Sequence, residues 1–190
     1  MVIPPRPQPC MKPDGSGARL VIREIVATNF KSFYGTQHIG PFHKNFSAII
    51  GPNGSGKSNV IDSLLFVFGY KASKIRSKKL SVLIHSSRQH DDINSCTVEV
   101  FFEQIIDKVP IYLVLPIGTS LVQDGHFEVV KGSEFSVART AYKTNNSVYA
   151  WNGKTMSIKE IAGRLRDFGI DLVHNRFLIL QVSFIFDIIV

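Results

Sequence analysis

The sequence predicts an α/β fold with a mixed sheet, and two patterns carry that prediction. The first is the run Gly51-Pro52-Asn53-Gly54-Ser55-Gly56-Lys57-Ser58, which reads G-x-x-x-x-G-K-S and lies between an apolar run at 46–50 and a second at 60–68. The second is a series of short apolar segments after residue 95, separated by turn residues, which is typical of antiparallel hairpins. A strand-loop-helix unit beside hairpins indicates a mixed sheet rather than a purely parallel one.

The chain before the glycine-rich loop is predicted to form strands. Residues 1–17 contain five prolines and several charges, so we expect a disordered, proline-rich leader there. Leu20–Ala27 is β-branched and apolar enough for a strand, and Gln37–Ile39 for a short second strand. Phe46–Ile50 is predicted to be a buried strand that leads directly into the loop.

The rest of the chain is predicted to contain two helices and several further strands. Apolar residues at helical spacing predict a buried helix over Val60–Phe68 that ends near Gly69. Ser81–His85 is expected to be a helical turn, and the capping box Ser157-Ile158-Lys159-Glu160 begins the second helix. The predicted strands are Cys96–Glu103, Ile111–Leu115, Phe127–Val130, Glu134–Thr140, Val148–Trp151 and Asn175–Gln181.

The glycine-rich loop is a phosphate-binding motif. Its glycines let the backbone curl so that successive N–H groups point at phosphate oxygens, and the helix that follows adds the positive end of its dipole. Lys57 is predicted to reach the β- and γ-phosphates, and the Ser58 hydroxyl to complete a Mg²⁺ shell. The alternative is a glycine-rich turn without a ligand, which the strand-loop-helix context disfavours.

Composition limits the other function classes. The balance of 22 Lys and Arg against 15 Asp and Glu gives a net charge of +7, which fits either phosphate-rich partners or an ordinary basic surface. Cys10 and Cys96 are the only cysteines, which indicates a reducing compartment and supports neither a zinc cluster nor a disulfide framework. The N-terminus lacks a secretory apolar region, and Phe177–Val190 is too short to span a membrane, so no membrane partner is expected.

Four motifs occur in order along the chain. They are Asn29-Phe30-Lys31-Ser32-Phe33, the phosphate loop continued as Asn59-Val60-Ile61-Asp62, Lys74-Ile75-Arg76-Ser77-Lys78-Lys79-Leu80 and Asn175-Arg176-Phe177-Leu178-Ile179-Leu180-Gln181. Together they resemble the N-terminal half of the ATPase head of structural-maintenance-of-chromosomes (SMC) proteins, most closely the fourth subunit type, found in condensin. The resemblance implies an ABC-type P-loop half-head at 18–181, with an antiparallel β subdomain, and it weakens over 113–125.

The resemblance implies roles for individual residues. It implies ATP as the nucleotide, with Mg²⁺ bound by Ser58 and by Gln181, which matches the Q-loop glutamine that senses the γ-phosphate. Arg76 resembles an arginine close to the nucleotide, and Lys31 a basic residue beside the phosphates. From the residues alone, Arg76 and Lys31 could be solvated basic groups and Gln181 a strand-end amide. The predicted nucleotide-binding residues are Asn53, Gly54, Ser55, Gly56, Lys57, Ser58, Asn59, Arg76, Lys31 and Gln181.

The sequence also departs from the family pattern. Complete heads carry a Walker B acidic pair, a signature segment and a switch histidine in a distant C-terminal half, and no match to these is found in this sequence. Phe184-Ile185-Phe186-Asp187 imitates Walker B, but Ile188 stands where the catalytic glutamate is expected. The similarity ends after Gln181. We therefore expect 182–190 to be an apolar tail foreign to the family, and the chain to be a truncated product without catalytic residues of its own.

The leading hypothesis is an ATP-binding N-terminal head half of a condensin-type chromosome-organising ATPase, acting in chromosome condensation and DNA loop handling. The resemblance implies as partners the C-terminal half of the head, a second SMC subunit, a kleisin and other condensin subunits, and DNA. It implies the nucleus and chromosomes, or the cytoplasm, as the location. One alternative is a sequence-independent DNA-binding module that uses the five positive charges of 71–79, and another is an ABC transporter-type ATPase subunit.

Overall fold

The computed structural model describes residues 17–68, 79–88, 90, 92–108 and 127–170. Two α-helices lie within these residues, α1 over Lys57–Val67 and α2 over Ile158–Asp167, together with a 3₁₀ helix over Leu80–Leu83. None of the helices in this part of the chain has the length and hydropathy to cross a membrane. The strands are β1 (Ala18–Thr28), β2 (Thr36–Ile39), β3 (Ser95–Asp107), β4 (Phe127–Val129), β5 (Phe135–Tyr142), β6 (Ser147–Trp151) and β7 (Lys154–Met156).

The strands form one sheet in the order β2-β1-β3-β5-β6-β7, with β4 also paired to β3. All of the strand pairs among the described residues are antiparallel. β6 and β7 are joined by Asn152 and Gly153, whose φ angles of 47° and 75° are left-handed. Two left-handed residues in a two-residue turn match the right-handed twist of the strands, which explains why an Asn-Gly pair occupies this turn.

The core lies between the sheet and the two helices, and aromatic rings fill much of it. The ring of Phe135 stacks on those of Phe102, Trp151 and Phe168, with centroid separations of 5.0, 4.3 and 5.0 Å. α2 presents a single apolar face to this core, whereas most residues of α1 are buried. Six of the eleven α1 residues are apolar, and Asn59, Asp62 and Ser63 are buried with them, so burial extends beyond one apolar face of this helix.

Most of the predicted elements are confirmed. The strands predicted over Leu20–Ala27, Gln37–Ile39 and Cys96–Glu103 correspond to β1, β2 and β3, and the last is longer than expected. The capping box does begin α2, and the helical turn near Ser81 is the 3₁₀ helix. β7 was not predicted, because three exposed or half-buried residues after a turn carry no clear pattern. The leader before residue 17 and the strands predicted at 111–115 and 175–181 lie outside the described residues.

The prediction of a buried strand over Phe46–Ile50 is wrong for this structure. The segment has no strand geometry, and its side chains are exposed, at 74% for Phe46 and 89% for Ile50. A strand needs neighbours that accept and donate its backbone hydrogen bonds. None of the strands among the described residues pairs with this segment, so the apolar pattern alone does not form a strand here.

Candidate functional site

The glycine-rich loop of 51–58 has a backbone that only glycine adopts easily. Gly54 and Gly56 have φ angles of 82° and 92°, in the left-handed region. A Cβ atom at Gly56 would lie 3.1 Å from a ring carbon of Phe33, and one at Gly51 would lie 2.7 Å from Oγ of Ser55. The loop therefore depends on these glycines both for its curvature and for the close approach of neighbouring groups.

The loop leads into a helix N-terminus that is left open by the sequence. Gly56 is the N-cap of α1 and offers no side chain, and the first turn contains no acidic residue. The N–H groups of Asn59 and Val60 donate to the carbonyl oxygen of Gly56, at 2.9 and 3.3 Å. Within the described residues, those of Lys57 and Ser58 donate to no backbone carbonyl. Free N–H groups at the positive end of a helix dipole form a site for an anion.

The side chains at the start of α1 suit a phosphate with a bound cation. The ammonium of Lys57 donates to the carbonyl oxygens of Gly51 and Pro52, both at 2.6 Å, so it lies across the loop. A lysine ammonium has three donors, and the third remains for another acceptor. Ser58 is exposed on the first turn, where its hydroxyl is accessible as an oxygen ligand for Mg²⁺. The residues present therefore fit a nucleotide phosphate and its metal ion.

A tight turn between β1 and β2 lies against the same helix. Asn29 and Lys31 both have φ of 52°, a left-handed conformation that is uncommon for residues other than glycine. Asn29 closes the turn, because its side-chain oxygen accepts from the N–H of Gly35 and its own N–H donates to the carbonyl of Gly35, both at 2.9 Å. Three contacts join the turn to α1: Lys31 with Asp62, Ser32 with Asn59, and the ring of Phe33 with Gly56.

The structure brings most of the predicted site residues to one end of α1. Asn53, Gly54, Ser55, Gly56, Lys57 and Ser58 share the loop and the first turn. Lys31 and Asn59 lie beside them, although each binds another protein side chain. Arg76 and Gln181 are outside the described residues.

Sequence reasoning missed Asp62 as a member of this group. The residue is only 5% exposed and forms an ion pair with Lys31. The sequence did contain a signal for Asp62. It is a polar residue three positions after Asn59, which is itself three positions after Gly56. Residues three apart are neighbours on a helix surface, so such a polar stripe indicates a specific partner.

A buried arginine stabilises the other end of α1. Arg139 of β5 donates from Nη1 to the carbonyl oxygen of Phe66 at 2.9 Å, and from Nη2 to Oγ of Ser147 at 3.1 Å. Its guanidinium lies between the rings of Phe66 and Tyr149, at 4.6 and 4.8 Å from their centroids. Burial lowers the pKa of Arg139 and raises the pKa of Cys96 to about 12. A cation is favourable at this end of the helix dipole.

Comparison with known sequences identifies the family. Residues 21–173 match the family described as RecF/RecN/SMC N terminal domain. The chain belongs to this family. That assignment confirms the family resemblance, and it covers the first three motifs, the Asn29–Gly35 turn and both helices.

Similarity to an individual protein agrees with this family assignment. The chain is 58% identical over 179 residues to structural maintenance of chromosomes protein 4 of Xenopus laevis, which covers 94% of this chain and 13% of the relative. The chain thus spans about an eighth of that protein's length, and it is similar to its N-terminal region.

Solved structures confirm the fold class. A structure from a study of ATP-driven dimerization and DNA stimulated activation of SMC ATPases matches with a TM-score of 0.63 and 28% identity, covering 84% of this chain and 86% of that chain. An Smc head domain from Pyrococcus furiosus, bound to the C-terminal domain of ScpA, matches with the same TM-score and identity, covering 82% of this chain and 35% of that one. The fold is that of the N-terminal half of an SMC-type head.

Proposed function

We propose that this chain binds ATP as the N-terminal half of a condensin-type chromosome-organising ATPase head. Residues 18–181 form this half in the proposal, preceded by a leader at 1–17 and followed by an apolar tail at 182–190. The observation that carries the proposal is the open N-terminus of α1, because its free N–H groups and the Lys57 ammonium meet at one loop of left-handed glycines. A neutral ligand would gain nothing from this concentration of positive charge.

The phosphates are bound in this proposal by the backbone of 53–58 and by Lys57, with Lys31 as a second ammonium and Asn59 beside it. Ser58 and Gln181 ligate Mg²⁺, and Arg76 contacts the nucleotide. Mg²⁺ held by these residues would neutralise part of the phosphate charge. The protein's own residues contribute binding and orientation. We expect no turnover by the 190 residues alone, since they offer no acidic pair after an apolar strand to position water.

The exposed segment Phe46–Ile50 supports the C-terminal half of the head as a partner. It joins directly to the phosphate loop, and Phe46, Ile49 and Ile50 are exposed at 74%, 39% and 89%. Exposed apolar side chains on a segment that pairs with none of the described strands favour the addition of a strand from elsewhere. In this proposal a strand from the C-terminal half pairs here, which would give the parallel part of the mixed sheet.

Further partners follow from the similar proteins. The Pyrococcus furiosus Smc head was solved bound to the C-terminal domain of ScpA. This supports binding of an accessory subunit by the present chain. The resemblance to SMC proteins implies that this subunit is a kleisin. The study of ATP-driven dimerization and DNA stimulation in SMC ATPases supports a second SMC subunit and DNA as partners. The relatives' name, structural maintenance of chromosomes protein 4, supports condensin subunits as further partners and the nucleus and chromosomes, or the cytoplasm, as the location.

Equilibrium binding of Mg-ATP to the 190-residue chain tests the proposal, with and without a co-expressed C-terminal head half. We expect measurable binding that Lys57→Ala weakens at least about tenfold, because a charge-assisted hydrogen bond to phosphate is lost. Lys159→Ala is the matched control, since Lys159 is an exposed lysine in the first turn of α2. Equal affinities for the two variants would contradict the proposed site. Turnover by the isolated chain that is abolished by Lys57→Ala would contradict its dependence on the other half.

A further inference from the structure

We propose that Asp62 is a positioning residue that fixes the ammonium of Lys31 for a nucleotide phosphate. The inference rests on the proposed ATP binding and extends it to a residue that binds no ligand itself. Asp62 lies on α1, five residues after Lys57, and its carboxylate forms an ion pair with Nζ of Lys31. Lys31 belongs to the turn between β1 and β2, so the pair joins the helix of the phosphate loop to the sheet.

Every polar group of Lys31 has a partner that restrains it. Its backbone N–H donates to the carbonyl oxygen of Leu83 at 2.8 Å. Its carbonyl oxygen lies 2.8 Å from Nδ1 of His85, and the backbone N–H of His85 donates to the neighbouring carbonyl of Asn29 at 2.8 Å. The carboxylate of Asp62 binds the side chain. The backbone and the ammonium of Lys31 are thus restrained by separate elements.

The conformation of Lys31 indicates that this restraint has a purpose beyond closing a turn. A φ of 52° is unfavourable for a lysine relative to the right-handed regions. Such conformations persist where the surrounding contacts over-determine them, and they cluster at binding sites. A glycine at this position would avoid the cost, but it would supply no ammonium.

The ion pair is asymmetric in a way that suits an outward-facing cation. The side chain of Asp62 is 8% exposed, whereas that of Lys31 is 26% exposed. The carboxylate is therefore the inner, fixed partner, and the ammonium keeps access to solvent with donors to spare. Because Lys31 neutralises Asp62, this acid adds little repulsion toward a phosphate at the start of the same helix. An untethered lysine would have to lose more side-chain freedom on binding.

Two further contacts, both on the loop side of the pair, place the turn relative to the loop. Ser32 contacts Asn59 in the first turn of α1, and the ring of Phe33 lies close to Gly56, the N-cap of α1. The turn therefore runs antiparallel to the first half of the helix, toward the phosphate loop. A shift of the loop relative to this turn would break three contacts at once.

A double-mutant cycle on Mg-ATP affinity tests the inference in the 190-residue chain, using Lys31→Met, Asp62→Asn and the double variant. We expect Asp62→Asn to weaken binding about tenfold when Lys31 is present and to have no further effect with Met at position 31. Asp62→Glu should restore part of the affinity. A role confined to folding would weaken binding equally in both backgrounds, and that result would overturn the inference.

Glu103→Gln is the matched control, because Glu103 is a carboxylate of similar burial that pairs with Lys44 away from α1. It should lower the midpoint of thermal unfolding as Asp62→Asn does, and leave Mg-ATP affinity unchanged.

An unchanged or increased Mg-ATP affinity of Asp62→Asn would also overturn the inference. The carboxylate would then have no effect on phosphate binding, or it would compete with the phosphate for the ammonium of Lys31. If the unsubstituted chain bound no nucleotide, the proposed function would fail together with the inference, whereas binding with additive effects would reject the inference alone.

Discussion

The two α-helices begin in opposite ways. At α2 the side chain of Ser157 accepts from the N–H of Glu160 at 3.3 Å, and the carboxylate of Glu160 accepts from the N–H of Ser157 at 2.9 Å. At α1 the N-cap is Gly56, and no side chain caps the helix. The sequence of α2 thus satisfies its own N-terminus, whereas α1 leaves its N–H groups available to an anion.

The C-terminal ends of the helices also differ in whether the helix supplies its own charged residues. α2 carries Arg164 and Arg166 in its last turn, and α1 carries no basic residue there. The cation for α1 comes instead from β5, where Arg139 donates to the carbonyl of Phe66. α2 therefore satisfies both of its ends with its own residues, whereas α1 has an uncapped N-terminus and takes a cation from β5 at its other end.

The largest expected effect comes from the same substitution made in each helix. Gly56→Ala places a Cβ at φ of 92° and 3.1 Å from the ring of Phe33, so we expect it to destabilise the fold by about 2 kcal/mol and to abolish Mg-ATP binding. Gly163→Ala has open space inside α2 and should stabilise the fold by up to about 1 kcal/mol. Urea unfolding and equilibrium binding measure both effects. Equal changes in unfolding free energy and in Mg-ATP affinity for the two variants would show that the two helices do not differ in this way.

The next effect concerns the C-terminal ends. Arg139→Met removes the buried partner of the Phe66 carbonyl and of Ser147, and should lower the free energy of unfolding by about 2 kcal/mol. Arg164→Met, at an exposed residue of α2, should change it by less than about 0.5 kcal/mol.

Cys96 provides a second measurement of the Arg139 effect. Burial raises the pKa of the Cys96 thiol to about 12, so this thiol should label very slowly at pH 8 in a Cys10→Ser background. Faster labelling is expected in Arg139→Met, because the packing between β5 and α1 is loosened. Unchanged labelling and stability would show that α1 does not need the cation from β5.

A smaller effect is expected at the cap of α2. Ser157→Ala removes the hydrogen bond to the N–H of Glu160 and should cost about 1 kcal/mol of unfolding free energy. Mg-ATP affinity should stay unchanged, since this helix end is closed to anions by its own side chains. A loss of affinity that matched the loss for Lys57→Ala would show that the two helix ends are not independent.

The smallest expected effect is in the titration of Glu160. The hydrogen bonds from Ser157 hold the pKa of this carboxyl below its ordinary value. A depressed pKa means that the cap stabilises the folded chain above the ordinary glutamate pKa, and that this contribution is lost as the pH falls through the lower, folded value. Titration of the Glu160 carboxyl by NMR should show the depressed midpoint, and Ser157→Ala should move it upward. An unchanged midpoint in that variant would contradict the capping box as its cause.

Local patterns predicted the parts of the fold that are stabilised locally. The capping box at Ser157 and the apolar segments that form β1, β3 and β5 each depend on residues close together in the chain. The apolar run at Phe46–Ile50 looked equally clear, but the described residues provide no neighbouring strand to pair with it. Periodicity shows that a segment is suited to a strand, and pairing decides whether it becomes one.

The same difference between local patterns and long-range contacts applies to the candidate site. The phosphate loop could be predicted from the sequence, since the glycines, Lys57 and Ser58 are contiguous and the predicted chemistry depends on backbone curvature and one helix N-terminus. The three-dimensional structure was needed to show that Asp62 binds Lys31, that Asn59 contacts Ser32, and that Arg139 donates to the far end of α1. These contacts join residues from 27 to 73 positions apart, and no local pattern specifies which side chain a buried charge will meet.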